Sequence, residues 1–306
     1  MSGWNWRLMR CGSFRLDGGA MFGILPKPLW TRLVEPDERN RIPLQCNALL
    51  LERDGRIVVV ETGIGDKMSD KLRDIYSLER RSILDALHDA DCDPADVDDV
   101  LVTHLHFDHA GGLTRKPLPG TGESTDPKTP PLTFPNARIV SQRLEWDDAR
   151  ANRSTMHATY LPEHLTPEVA ERIDLIDGPP PPLDDRNGLP GSDDWFGFVE
   201  VAPGIEVFQI PGHTPGQQAV KIAAHDGRTL VFVPDVMPTA WHASPTANMA
   251  YDMDPYISML QRIALLELAA RERWLLCLDH EPGEHAVFEV ELDPEKPGRP
   301  RLIPAG

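Results

Sequence analysis

Apolar residues fall along this chain in short runs and alternations, broken by turn-forming pairs, and only a few stretches carry helical spacing. Ala48 to Arg53, the pair Asp54-Gly55, and Arg56 to Glu61 form an apolar run, a two-residue turn and a second apolar run, which predicts a β-hairpin. Gln218 to Ile222 and Arg228 to Val233 flank Asp226-Gly227 and predict a second hairpin. Asp99 to Thr103, Ala137 to Val140 and Trp274 to Leu278 are buried-strand runs, and Gly204 to Ile210 alternates. Helical spacing appears from Arg80 to Ala90, with Ile83, Leu84 and Leu87 on one face, and from Gln142 to Arg150. It is broadest from Pro255 to Ala270, through Ile257, Leu260, Ile263, Ala264, Leu265 and Leu268. Thr166-Pro167-Glu168 reads as an N-cap with proline at the first helical position. Strands in two batches with helices between them predict an α+β fold of two sheets packed face to face with helices outside.

Within that frame the chain reads as a single domain over 1–306, with loop insertions near 114–135 and 178–197. The stretches 116–135 and 178–197 are rich in Pro, Gly, Asp or Thr, and read either as solvated loops or as a rim over a cleft. The 306 residues carry 41% hydrophobic side chains, enough for a substantial core. A formal net charge of −17 argues against nucleic acid and anionic membranes as partners. Cys11, Cys46, Cys92 and Cys277 show no paired spacing and read as reduced thiols. The first residues show no basic stretch followed by an apolar run, and no apolar run of spanning length follows. A cytoplasmic protein with a small-molecule substrate is the expectation, and a homodimer is compatible with it.

Candidate chemistry concentrates after the Asp99–Thr103 strand, in His104-Leu105-His106-Phe107-Asp108-His109. Four ligand-type side chains fall within six residues, followed by Gly111-Gly112, read as a sharp bend. His104 and His106 are placed to share one metal, Asp108 and His109 to reach a second. His213, in Pro211-Gly212-His213-Thr214-Pro215-Gly216, Asp235 and His280 each follow a further strand. Ligands delivered at strand ends from four segments are what a metal site on a rigid scaffold requires. Imidazole and carboxylate donors suit zinc, manganese, cobalt or iron rather than calcium.

This order of motifs resembles the metallo-β-lactamase superfamily, from about Asn47 to His280. The resemblance implies an αββα four-layer sandwich and two divalent metal ions, Zn2+ foremost, with Mn2+, Co2+ or Fe as alternatives. It implies that His104, His106 and His213 hold one ion, that Asp108, His109 and His280 hold the other, and that Asp235 bridges them. Glu61-Thr62-Gly63 resembles the family's first motif, often Asp-Thr-Gly, which supports the site from behind. Asp17 to Gly23 and Asp235 to His242 resemble the branch of quorum-quenching lactonases and organophosphate hydrolases, although Pro238 stands where some lactonases carry tyrosine.

The reaction so implied is hydrolysis by a hydroxide shared between two metals, with Asp108 and Asp235 in the catalytic centre. The proton passes to the leaving oxygen through Asp235 or the bridging position. A lactone or ester is the first substrate class. Thioesters, phosphotriesters and phosphodiesters are the hydrolytic alternatives, and iron-dependent redox chemistry or a non-catalytic role are the others. His242 reads either as a substrate contact or proton donor, or as a capped surface histidine. Met21, Phe22, Phe107 and Trp241 read either as an apolar wall for substrate or as packing, and Asp66 and Asp279 as supports for histidine N–H groups or as turn residues.

Overall fold

Both residues of the Asp54-Gly55 turn have positive φ, 52° and 81°, the geometry that suits a two-residue hairpin to strand twist. Around it the chain builds β1 (Asn5–Asp17), α1 (Gly18–Phe22), α2 (Lys27–Trp30), β2 (Arg41–Arg53), β3 (Arg56–Val60), α3 (Asp70–Tyr76), α4 (Ile83–His88), β4 (Asp99–Leu101), α5 (Phe107–Ala110), β5 (Arg138–Gln142), α6 (Arg143–Arg150), α7 (Pro167–Arg172) and β6 (Ile173–Ile176). Then follow β7 (Val199–Ala202), β8 (Ile205–Gln209), β9 (Gln218–Ala223), β10 (Thr229–Val233), α8 (Pro255–Glu272), β11 (Leu275–Leu278), β12 (Val287–Leu292) and β13 (Pro300–Pro304). The structure, a computed structural model, describes residues 3–154, 158–184, 192, 194–292 and 300–305. Part of the loop expected over 178–197 therefore lies outside the described residues.

The strands form two mixed sheets, one ordered β1-β2-β3-β4-β5-β6, the other β13-β12-β11-β10-β9-β8-β7. Within the first, β2 and β3 pair antiparallel, while β3, β4, β5 and β6 run parallel. The second is antiparallel apart from the parallel pair β10–β11. The chain clusters into two compact units. The first comprises 1–4, 15–44 and 178–306, and the second 5–14 and 45–177. In the second unit Leu49, Leu51, Val58, Val60, Val100 and Ile139 are buried strand residues. In the first, Phe208, Ile210, Val231, Val233, Leu265, Leu276 and Leu278 share one apolar core.

Both expected hairpins are present, and so is the α+β class with two mixed sheets and helices. The expected helix from Arg80 shortens to Ile83–His88, because Ser82 and Asp85 form a capping box that starts it there. The stretch 116–135 holds no helix or strand, and is fastened by the Arg115–Glu123 ion pair at 2.6 Å and by Lys116 N–H to Asp66 Oδ1 at 3.0 Å. Asp66 thus holds this loop, not a histidine.

Gly111-Gly112 corrects the reason given for those glycines. Gly111 has an ordinary helical φ of −59°. A Cβ on Gly111 would lie 2.2 Å from the Ile64 carbonyl oxygen, and one on Gly112 2.3 Å from that of Thr62. They are small so that the 61–66 segment can press against them, not so that the chain can bend.

Candidate functional site

In the second unit, β4 ends at Leu101 and the chain runs directly into the histidine loop. The Glu61 carboxylate reaches across to it: Oε1 accepts from Thr103 N–H at 2.7 Å, and Oε2 lies 3.4 Å from His109 Nδ1. Glu61 does this from a left-handed backbone, φ 71°, a strained conformation for a residue with a Cβ. Thr103 Oγ1 lies 3.1 Å from His104 Nδ1. His106 caps α5 with its backbone, its carbonyl accepting from Ala110 N–H at 2.9 Å. The rings of His104 and His106 are 4.5 Å apart, those of His104 and His109 3.9 Å. His109 Nε2 faces Asp108 Oδ1 at 3.8 Å. The Thr62 hydroxyl donates to the His109 carbonyl at 2.5 Å, and Lys67 Nζ donates to the Gly111 carbonyl at 2.6 Å. Burial lowers the Lys67 pKa to about 8. All four expected ligands of this segment are buried and come together.

In the first unit, His213, Asp235 and His280 also come together. His213 sits after Gly212, whose φ of 135° and closeness to Ser258 exclude a side chain: a Cβ would lie 2.4 Å from the Ser258 nitrogen. Asp235 and His280 each lie two residues beyond the paired positions Val233 and Leu278 of the parallel strands β10 and β11. Parallel strands leave a sheet in the same direction, so residues equally far past a pair emerge side by side. Asp235 Oδ2 lies 3.1 Å from His213 Nε2, and its Oδ1 lies 3.3 Å from His280 Nε2. Ligand-capable atoms of Asp235, Asp279 and His280 lie within 4.8 Å of one another. Asp279 is therefore at the site itself rather than in a solvent-facing turn.

The donor set fits a metal ion. His213 Nδ1 is 3.1 Å from Asp252 Oδ1, a contact that places the ring proton on Nδ1. A neutral His213 then aims its Nε2 lone pair at the Asp235 oxygen. Two lone pairs at that distance repel unless a cation lies against both. His109 repeats the arrangement, with Glu61 at Nδ1 and Asp108 on the Nε2 side.

His242 departs from both of its expected readings. It is buried rather than at the surface, and both ring nitrogens are committed within the first unit. Nε2 donates to the Met21 carbonyl at 2.9 Å, since a carbonyl can only accept. Nδ1 of the neutral ring accepts from the Thr239 hydroxyl at 2.8 Å. The ring stacks on Phe22, centroids 5.0 Å apart, and Phe22 stacks on Trp30 at 5.3 Å. His242 therefore pins α1 to the loop after Asp235, with no ring nitrogen left to give a proton. Met21 and Phe22 are buried packing residues, whereas Trp241 is half-buried and Phe107 stacks on Tyr76 at 5.6 Å.

Burial lowers the His242 pKa to about 4. An unfolded chain takes up a proton below pH ~6.5 that the folded chain refuses until near pH 4, so this group withdraws stability as pH falls through that window. The loss amounts to about 2 kcal/mol by pH ~5. Urea unfolding at pH ~7 and ~5 should show a flatter pH dependence for His242→Gln than for the parent chain. Equal slopes in the two chains would contradict the neutral buried ring.

Sequence reasoning missed Asp252, Glu145, Tyr160 and Arg262. Each acts on residues far away in the chain, and none belongs to a motif.

The comparisons agree with this geometry. Residues 41–115 match the model of the metallo-beta-lactamase superfamily. The N-acyl homoserine lactonase AiiA of Bacillus thuringiensis subsp. kurstaki is 23% identical over 258 residues, spanning 80% of this chain and 84% of its own. The probable metallo-hydrolase Rv2300c of Mycobacterium tuberculosis (strain ATCC 25618 / H37Rv) is 26% identical over 199 residues, 60% of this chain and 54% of its own. Among solved structures, a probable metal-dependent hydrolase from Staphylococcus aureus superposes with a TM-score of 0.78 at 26% identity, covering 94% of this chain and 93% of its own. AidC, a dizinc quorum-quenching lactonase in complex with a product, superposes at 0.74 with 17% identity, covering 100% of this chain and 96% of its own.

The chain has the metallo-β-lactamase fold, and its residues 41–115 match the model of that superfamily. The proteins it resembles are named as metal-dependent hydrolases and lactonases. Among the described residues no helix is long and apolar enough to cross a membrane.

Proposed function

We propose that this chain, acting as a single domain over 1–306, hydrolyses the lactone or ester bond of a small molecule with two zinc ions. The observation that carries the reading is Asp235 set between His213 and His280, with the far nitrogen of His213 anchored on Asp252. Following the sequence resemblance, His104, His106, Asp108, His109, His213, Asp235 and His280 would hold the two ions. When bound, such a pair activates water at neutral pH and polarises the carbonyl of the substrate.

The protein's own groups do the rest. Asp252 keeps His213 in the tautomer that presents Nε2, so no proton has to be displaced there when a cation arrives, and the Glu61 carboxylate faces His109 Nδ1 at 3.4 Å. Asp108 and Asp235 supply the two carboxylates of the set, which leaves net positive charge for an anionic intermediate. Asp235 or the bridging position would pass the proton to the leaving oxygen. His242 acts at a distance, by holding the loop that carries Asp235.

The test joins metal analysis to a substrate panel of homoserine lactones of varied acyl length, thioesters, phosphotriesters, phosphodiesters and β-lactams. Lactone turnover should vanish on chelation and return with zinc, cobalt or manganese. Turnover that persists in fully demetallated protein would overturn the proposal. Turnover confined to another member of the panel would move the substrate and keep the metal pair.

A further inference from the structure

Two buried residues outside the ligand set bear on the histidine loop from behind. Glu145 stands in the first turn of α6 with its side chain fully enclosed. One oxygen, Oε1, accepts two donors. The first is the amide N–H of Leu105, at 2.9 Å. The second is the phenol of Tyr160, at 3.1 Å. Leu105 is the residue between His104 and His106, and its own side chain is sunk in the core. The Tyr160 ring lies against His106, centroids 4.9 Å apart and planes tilted by 55°. The neighbouring Thr159 carbonyl accepts from Phe107 N–H at 2.9 Å. The backbone is thus gripped on both sides of His106, and the imidazole is braced by a ring.

A carboxylate is a costly way to satisfy one backbone amide. A neutral amide or hydroxyl would serve, and full burial penalises the charge. What the charge adds is a short, strong acceptor for two donors at once, which fixes the amide and the phenol relative to each other. The phenol keeps its proton, because burial and the adjacent Glu145 both raise its pKa.

We infer that Glu145 and Tyr160 are positioning residues that set the spacing and the ring orientation of His104 and His106 for metal capture. This rests on the proposed metal-dependent function. It extends that function to two side chains that touch neither metal nor substrate. Glu145 holds the peptide between the two ligands, and Tyr160 holds the face of the second.

The test is cobalt(II) binding to the full chain, stripped of metal and titrated against a competing chelator, with the visible absorption bands recorded. Glu145→Ala should weaken cobalt binding by about 10–100-fold and alter the bands, the range typical of losing a group that orients a ligand. Glu145→Gln keeps a neutral acceptor for Leu105 and should recover most of the affinity. Tyr160→Phe keeps the ring and should fall between the parent and Glu145→Ala. A folded Glu145→Ala chain with the parent's affinity and spectrum would overturn the inference, since a role in folding alone leaves both unchanged. Where Glu145→Ala does not fold, parental affinity and spectrum in both Glu145→Gln and Tyr160→Phe have the same force. A parent chain that takes up no cobalt would instead sink the metal-dependent reading, and this inference with it.

Discussion

Replacing His106 with alanine should lower kcat/KM on a lactone by about a thousandfold or more, while the far-UV circular dichroism stays that of the parent. A single lost electrostatic contact to a transition state already costs ~10²–10³. Loss of a ligand removes the charge as well as the contact. The fold should survive because His106 serves α5 through its backbone carbonyl, which alanine retains. Its neighbours Leu105 and Phe107 remain tied to Glu145 and Thr159. Asp108→Ala should behave alike, since the Asp108 carbonyl, not its carboxylate, meets the Cys46 thiol at 3.7 Å. Parental turnover in either variant would refute the assignment of the loop.

The second large effect concerns stability. Arg262 lies in α8 and is buried to 1% exposure. Its Nη1 donates to the carbonyls of Val236 and Ala247 at 3.0 and 3.1 Å. Its Nη2 donates to the Pro245 carbonyl at 3.2 Å and to Asn248 Oδ1 at 2.5 Å. Burial lowers its pKa to about 10, so it is still a cation at neutral pH. Each acceptor belongs to the loop after Asp235, which turns back on itself around this one guanidinium. Arg262→Met keeps the bulk and strands the buried carbonyls of Val236 and Ala247, while the half-buried Pro245 carbonyl loses its donor as well. The expected cost is about 3–5 kcal/mol, the range for removing one partner of a buried charged network. Arg262→Lys should recover little, because one ammonium cannot span four acceptors that a planar fork reaches. The measure is the urea midpoint at constant slope. A loss below about 1 kcal/mol would show that water or a rearranged loop takes the guanidinium's place.

The two tight hairpins were legible because Asp54-Gly55 and Asp226-Gly227 are local signals, each needing only its flanking strands. The clustering of the candidate ligands was legible for a related reason. Each candidate segment begins within a few residues of the end of an apolar run, and such a break marks where a buried strand ends. β1 was not legible, because Arg7, Arg10 and Arg15 interrupt its apolar residues, and buried Met9, Cys11 and Phe14 do not keep strict alternation. α8 was legible as a helix, but the burial of Gln261 and Arg262 was not, because their partners lie elsewhere in the chain. The supporting carboxylates were out of reach for a different reason. Glu145 acts on Leu105 from 40 residues away, and Asp252 on His213 from 39. Nothing in the intervening sequence records those contacts. His242 shows the opposite error: a histidine near a metal ligand invites a chemical role, and its two hydrogen bonds supply a mechanical one.

The register of β10 against β11 carries a consequence for how this protein can change. Val233 and Leu278 are opposite each other, and the 41 residues between Pro234 and Trp274 cross from one strand to the next by way of α8. That crossing also carries His242, Asp252 and Arg262 with its acceptors, so its length is fixed wherever those contacts fall. A single residue inserted at Pro234 or at Asp279 would advance one ligand past the other by about 3.3 Å, further than a shared ion tolerates. Libraries that vary loop length should therefore lose function at once within two residues of the paired valine and leucine, and lose it too where the change displaces Asp252, His242 or the acceptors of Arg262.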